Sequence, residues 1–285
     1  MADKKLISIG RWNLNRLDIG ITLPRRRGPK AARRKSVRGG LCLRLIPLTF
    51  AAAVLMIFIP PSKADMNLKL FAQRLQGALD EIDFPQISRW EEGRGGEWKY
   101  DIGKHRDQAV DILDRLKVTH ISRSNHSDRL YNKIKSRAPG LLGLPELAIE
   151  KFLKLDELGI TYHHQPYELA PNWILVHGDE GNVQPTAGAT ALGLAKRAGV
   201  SVVCGHTHRA GLTHWTQSWA GKSKTVWGLE VGHLMNLKHA RYIKAGLFTW
   251  QQAFAILYVD GQKVYPHLIP IVNKSFTVDG KTWSW

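Results

Sequence analysis

From residue 101 onward, the apolar and polar positions punctuate the chain at regular intervals. Over 101–116, Ile102, Ala109, Ile112, Leu113 and Leu116 recur at helical spacing and predict a helix. Residues 118–121 are a short apolar run, a strand candidate that ends at a polar stretch, Ser122 to His126. A second helix is predicted over 145–158, with Pro145 near its first position and Gly159 as its stop. Residues 173–176 form an apolar strand that runs straight into His177 and Gly178. An Ala-rich helix over 186–197 closes at Gly199, and a further strand, 200–204, runs into Gly205, His206, Thr207 and His208. Residues 225–231, 254–259 and 263–272 read as strands, with Asp260-Gly261 and Asp279-Gly280 as hairpin turns. Upstream, residues 67–79 show helical spacing through Leu68, Phe71, Ala72, Leu75 and Leu79. The pattern is that of a layered α/β domain with a strand-rich C-terminal half and no internal repeat.

Residues 45–62 carry no charge and centre on an apolar run, 46–59. A membrane-spanning helix needs roughly 20 such residues, and Pro47, Pro60 and Pro61 shorten the usable length. Three readings stand side by side. One is a secretory signal with Ser62, Lys63 and Ala64 as its cleavage site. Another is a signal anchor with the preceding basic segment inside. The third is a buried strand.

Charge separates the chain further. The formal net charge is +17 over 285 residues. Residues 1–66 hold 14 Lys and Arg against three Asp, a balance of +11, and the remaining residues contribute +6. Residues 1–44 therefore read as a basic flexible arm, suited to nucleic acid or to an anionic membrane surface, or simply a solvated tail. Residues 45–64 are the apolar segment and 65–285 the main domain. A hydrophobic fraction of 44% excludes wholesale disorder. Cys42 and Cys204 stand far apart, which argues against a disulfide scaffold and a cysteine-zinc site.

Polar residues recur just past strand ends: Asp80, Asn125 with His126, His177, and His206 with His208. Loops at strand ends are where α/β folds build their sites. Glycine beside His177 and His206 lets the backbone turn sharply. Three imidazoles, a carboxylate and an amide oxygen suit Mn²⁺, Fe or Zn²⁺ better than a thiolate-preferring metal.

This set resembles the calcineurin-like metallophosphoesterases. Their successive motifs are Asp-x-His, Gly-Asp-x-x-Asp, Gly-Asn-His, a His often followed by Gly, and Gly-His-x-His. Gly205 to His208 matches the last in full, and His177-Gly178 the fourth. Ser124-Asn125-His126 matches the third with Ser for Gly. Leu79, Asp80 and Asp83 match the second with Leu for Gly. The order is kept, with 45, 52 and 29 residues separating Asp80, Asn125, His177 and His206. The resemblance runs from Asp80 to the C-terminus and looks closest to stand-alone phosphoesterases of bacteriophages.

The resemblance implies a layered β-sandwich flanked by helices, and a hydrolase of phosphate mono- or diesters, nucleic-acid phosphodiesters among them. It implies two divalent metal ions, Mn, Fe or Zn, with Asp80 bridging them. Asn125, His177 and His206 would hold the second and His208 the first. A hydroxide between the metals would attack phosphorus in line. His126 would stabilise the transition state or protonate the leaving oxygen, Asp83 would orient His126, and Arg129 would contact phosphate.

The first motif is missing, since no Asp-x-His precedes Asp80. Met56 and Phe58 stand in its place within the apolar run, which favours the third reading of that run: an altered first strand. The segment 67–76 then matches the family's first helix, and the short distance to Asp80 implies a lost second strand. The first metal would keep only Asp80 and His208, so one site is expected to be weak, with Asp65 a distant substitute. A catalytically impaired metal-binding remnant is therefore the competing function, and a membrane-attached enzyme is a third. The cytoplasm is the expected location, with anchoring or export through residues 45–64 as the alternative. Trp215, Trp219, Trp227, Trp250, Trp283 and Trp285 are expected to pack, or else to stack on bases. His163, His164 and His214 are expected at the surface.

Overall fold

In the computed structural model, the described residues all belong to one compact unit. The structure describes the backbone of 54–59 and 75–79, and residues 84–89, 92–93, 101–235 and 248–284. The basic arm, Asp65, Asp80, Asp83, Cys42 and Trp285 lie outside the described residues.

The architecture is mixed α/β. Among the described residues there are thirteen strands and five α-helices. The strands of the first sheet are β1 (Val54–Ile59), β2 (Leu75–Leu79), β3 (His120–Ser122) and β4 (Thr161–His163), with β10 (Ala253–Asp260) and β11 (Lys263–Pro270), in the order β11-β10-β1-β2-β3-β4. The second sheet is built from β5 (Tyr167–Ala170), β6 (Trp173–Leu175), β7 (Ser201–Cys204), β8 (Ala210–Trp219) and β9 (Lys222–Val231), in the order β5-β6-β7-β9-β8. A hairpin of β12 (Ser275–Val278) and β13 (Lys281–Ser284) stands apart.

Burial shows how the layers stack. Strand β10 is apolar at every position from Ala253 to Leu257, because both its faces are covered. Ala255 and Leu257 face inward and meet Leu175, Val203, Leu229 and Val231 of the second sheet. Phe254 and Ile256 face the other way, onto α1 (Ile102–Leu116), the β12–β13 hairpin, and the short helices α3 (Ile149–Phe152) and α4 (Leu155–Leu158). On the far side of the second sheet, Val202, Cys204 and Val226 pack against Ala191, Leu194 and Ala195 of α5 (Ala189–Ala198). Each fully buried Leu or Ile in these layers contributes about 1.5–3 kcal/mol.

Two contacts set the height of α5. A Cβ on Gly228 would stand 2.2 Å from the Leu192 nitrogen, and one on Gly211 would stand 2.4 Å from the Gly188 nitrogen. Only glycine allows the helix and its entry turn to lie directly on β9 and β8.

Several elements form as predicted. Helix α1 begins where Asp101 accepts hydrogen bonds from the Gly103 and Lys104 amides, at 2.9 and 3.2 Å. Strands β6 and β7 and helix α5 fall where the pattern places them, as do the turns at Asp260-Gly261 and Asp279-Gly280. Other expectations are corrected. Residues 75–79 form a strand, not the end of a helix over 67–79, so the second strand expected to be lost is present directly before Asp80. The helix expected over 145–158 breaks. A 3-10 turn, Pro145–Leu147, is followed by α3 and α4, with Lys154 between them in the left-handed region at φ 53°.

Within the apolar run, residues 54–59 are a sheet strand, β1, paired on both sides. Its direction matters. Strand β2 runs parallel to β3, but β1 runs antiparallel to β2. The C-terminal end of β1 therefore lies at the opposite end of the sheet from the ends of β2 and β3. No helix among the described residues is long and apolar enough to cross a membrane.

Candidate metal centre

Three loops meet where the strand ends of the two sheets converge. The first follows β3 and carries Asn125 and His126 into α2 (Asp128–Arg137). A buried serine pair shapes it. The Ser124 amide donates to Ser127 Oγ at 2.9 Å, and the Ser127 amide donates to Ser124 Oγ at 2.9 Å. Ser127 Oγ also meets the Tyr162 hydroxyl at 2.7 Å. Ser124 thus closes the turn that presents Asn125.

The second loop follows β6 and holds His177, which is fully buried. The third follows β7 and holds His206. Because β6 and β7 are parallel neighbours, their loops lie side by side, and the Gly205 amide donates to the His177 carbonyl at 2.9 Å. Gly178, at φ 118°, leaves room for this approach, since a Cβ there would stand 3.1 Å from His206 Cβ. His206 and His208 both lie in the left-handed region, at φ 59° and 57°, a sparsely populated conformation for non-glycine residues.

The outcome is a convergence of three side-chain atoms. Asn125 Oδ1 lies 2.7 Å from His177 Nε2, and His206 Nδ1 lies 3.0 Å from the same nitrogen. An imidazole nitrogen offers a single bond, either one donated proton or one lone pair. Here it faces two polar atoms, so no tautomer serves both with good geometry. Two imidazoles with an amide oxygen are a donor set that suits a borderline divalent ion. Among the described residues, no group of three or more His, Cys, Asp or Glu gathers to hold a metal. The set here is two imidazoles and an amide. Asp80, the carboxylate expected to complete it, lies outside the described residues, as does Asp83.

His208 lies two residues beyond His206. It is buried against Trp250, with ring centroids 4.5 Å apart, and lies 6.1 Å from the ring of His233. His126 follows Asn125 directly in sequence, and Arg129, four residues on, lines a cavity together with Asn125.

Several supporting residues escape the sequence reading. Glu230 is fully buried at the start of α5, where it accepts from the Thr190 amide at 2.9 Å and from Thr207 Oγ1 at 2.7 Å. It thereby fixes the loop that carries His206 and His208. A lone carboxylate in the apolar stretch Leu229 to Val231 is its only sequence signal. Arg123 pairs with Asp128 and reaches Asp179 at 3.8 Å, so it ties the loop after β3 to the loop after β6. Burial, then repulsion from Glu180, pushes the Asp179 carboxyl up, against the pull of Arg123 and His206. His233, in a second Gly-His pair, is fully buried and accepts from the Met235 amide through Nδ1 at 3.1 Å. Burial and the neighbouring His208 lower it to about 4, so it is neutral at ordinary pH. With Nδ1 accepting, its proton sits on Nε2, which is buried and meets no hydrogen-bond partner among the described residues. Cys204 is a free, buried thiol pushed well up by burial and then by Glu230 and Glu180, which removes it as a nucleophile.

The remaining expectations divide. His164 is exposed beside Glu150 at 2.8 Å, and His214 is exposed, as expected. His163 is half-buried instead. It stacks on Tyr167 with centroids 4.1 Å apart and lies 3.0 Å from His120 Nδ1. Of the tryptophans, Trp227, Trp250 and Trp283 are half-buried, while Trp215 and Trp219 are 37% and 53% exposed.

Over 213 residues the chain is 37% identical to Gene 54 protein of Mycobacterium phage D29, across 72% of this chain and 84% of that protein. It is 36% identical over 213 residues to Gene 54 protein of Mycobacterium phage L5, with the same coverage. The chain belongs to this Gene 54 protein family. No family model matches it, and no solved structure does. The matched length is more than half the chain, so the family is defined across much of the domain that holds the candidate centre.

Proposed function

We propose that this protein is a metal-dependent phosphoesterase that hydrolyses phosphate mono- or diesters. The observation that carries the reading is the convergence of Asn125 Oδ1, His177 Nε2 and His206 Nδ1 from three separate strand-end loops. The motif order supports it. In this reading Asn125, His177 and His206 hold one divalent ion together with Asp80, and His208 with Asp80 serves a second, weaker site. When bound, the ions neutralise phosphate charge and acidify water at the site. The chain's own groups do the rest. His126 donates a proton towards the leaving oxygen, with Asp83 as its orienting partner, and Arg129 offers a guanidinium to the phosphate. Glu230, through Thr207, holds the His206 loop in its strained turn.

The test is hydrolysis of bis-p-nitrophenyl phosphate in the presence of Mn²⁺. Turnover is expected, chelation should abolish it, and His206→Ala should lower it by about 100-fold or more, as loss of a metal ligand does. Turnover that survives either treatment would exclude the reading.

The direction of β1 favours a second reading, a metal-binding protein without turnover. Its C-terminal end, where the resemblance puts the first motif, lies remote from β3, and Met56 and Phe58 bring no carboxylate or imidazole. This reading expects one metal ion per chain and no hydrolysis of any phosphate ester.

A further inference from the structure

A cavity of 370 Å³ opens beside Asn125. One wall is a single face of α2. Arg129, Asn132, Lys133 and Ser136 stand at i, i+3, i+4 and i+7 and line it together, while Leu130, about 100° round the helix from Arg129, is buried. The facing wall carries Arg89. Among the described residues, the lining has three cationic side chains and one carboxylate, Glu92. Lys133 reaches that carboxylate at 4.0 Å, and Arg137 pairs with it as well. Lys133 is only 22% exposed along its side chain, so its charge is held in the wall and does not swing free in solvent. From Arg129 to Ser136 the helix face runs about 10 Å, more than one phosphate occupies. The volume lies in the range of small-ligand sites, roughly 300–1,000 Å³, and is of the order of one nucleotide.

We propose that this cavity is a subsite for a second phosphate, carried by the nucleotide next to the scissile bond. The substrate is then an oligonucleotide-like phosphodiester, not an isolated monoester. The assignment rests on the reading of the Asn125, His177 and His206 cluster as the hydrolytic centre. Arg129 lies nearest that centre, and Lys133, Asn132 and Ser136 extend the polar face away from it. Cations fixed along a helix face suit a run of phosphates, because each contact is charge-assisted and its position is set by the backbone.

The experiment compares cleavage of the thymidine dinucleotide TpT with the same dinucleotide carrying one additional phosphate, at its 5′ end or at its 3′ end. One of the two phosphorylated forms should be cleaved with kcat/KM about tenfold above TpT, the scale of one charge-assisted contact. Lys133→Ala should remove that preference while leaving cleavage of TpT itself within about twofold, and Lys133→Arg should restore it. Equal kcat/KM for all three compounds, or a preference that survives Lys133→Ala, would overturn the subsite. So would turnover of bis-p-nitrophenyl phosphate with none of the three cleaved. If no phosphate ester is hydrolysed at all, it is the hydrolytic reading that fails. Binding then decides the subsite: thymidine 3′,5′-bisphosphate should bind more tightly than thymidine 5′-monophosphate in the presence of chelator, and Lys133→Ala should erase the difference. Equal binding of the two nucleotides would overturn it.

Discussion

A carboxylate shut away from water must find donors, and Glu230 finds the Thr190 amide and the Thr207 hydroxyl, at 2.9 and 2.7 Å. The Ala191 amide adds a longer contact at 3.4 Å. The start of α5 contributes a favourable field as well as the amides. Removing the side chain leaves those donors buried and unmatched, and leaves a void between helix and strand. Glu230→Ala is expected to cost about 3 kcal/mol in urea unfolding, the scale of a broken buried charged network. Glu230→Gln, which keeps the shape and one acceptor, should cost less. A loss below about 1 kcal/mol for the alanine variant would mean that the network does not hold this loop. The same residue shows a limit of sequence reading. His177, His206 and Asn125 can be picked out because each stands beside a strand end and a turn residue. Glu230 cannot, because its partners, Thr190 and Thr207, are distant in sequence and nothing local marks the pairing.

At the level of elements, strands with one dominant periodicity are legible and those with two are not. Leu75 and Leu79 fit a helix face and a strand equally well, and pairing with β1 and β3 decides for the strand. In the segment 145–158, Leu153 and Leu155 are both fully buried. Residues two apart cannot share a helical face, so the chain breaks at Lys154. Helix α2 escapes notice because only Leu130 is buried among its ten residues. The edges of the two sheets meet at another such pairing, His120 of β3, His163 of β4 and Tyr167 of β5. Burial lowers the His120 pKa, and burial with His120 itself lowers that of His163. Both imidazoles are thus preferred neutral in the folded chain, and the unfolded chain takes up protons first as pH falls through about 6.5. The stability they contribute is present above that pH and lost below it. Calorimetry between pH 7 and 5 should show the melting temperature falling with acidification, and falling less steeply in His120→Gln. His105, lowered by burial against the pull of Asp101, and His233, lowered to about 4, leave a residual slope in both. Identical slopes would show that the edge cluster is not responsible.

At the scale of the whole molecule, the candidate centre belongs to neither sheet alone. Asn125 comes from the first, His177 and His206 from the second, and the interleaved Ala255, Leu257, Leu175 and Leu229 hold the two in register. The second sheet also has a margin. Strand β8 is its last strand, ten residues long, and among the described residues nothing pairs with its outer side. It contains no Pro, Lys, Arg, Asp or Glu, and its outer half is exposed, Trp215 and Trp219 included. Natural proteins usually blunt such margins with charge, proline or a bulge. Here the row of amide and carbonyl groups is left as a template on which another copy can lay a strand, so handling in concentrated solution becomes a property of this one strand. Thr216→Lys should suppress concentration-dependent light scattering without altering the fold, and unchanged scattering would place the cause elsewhere.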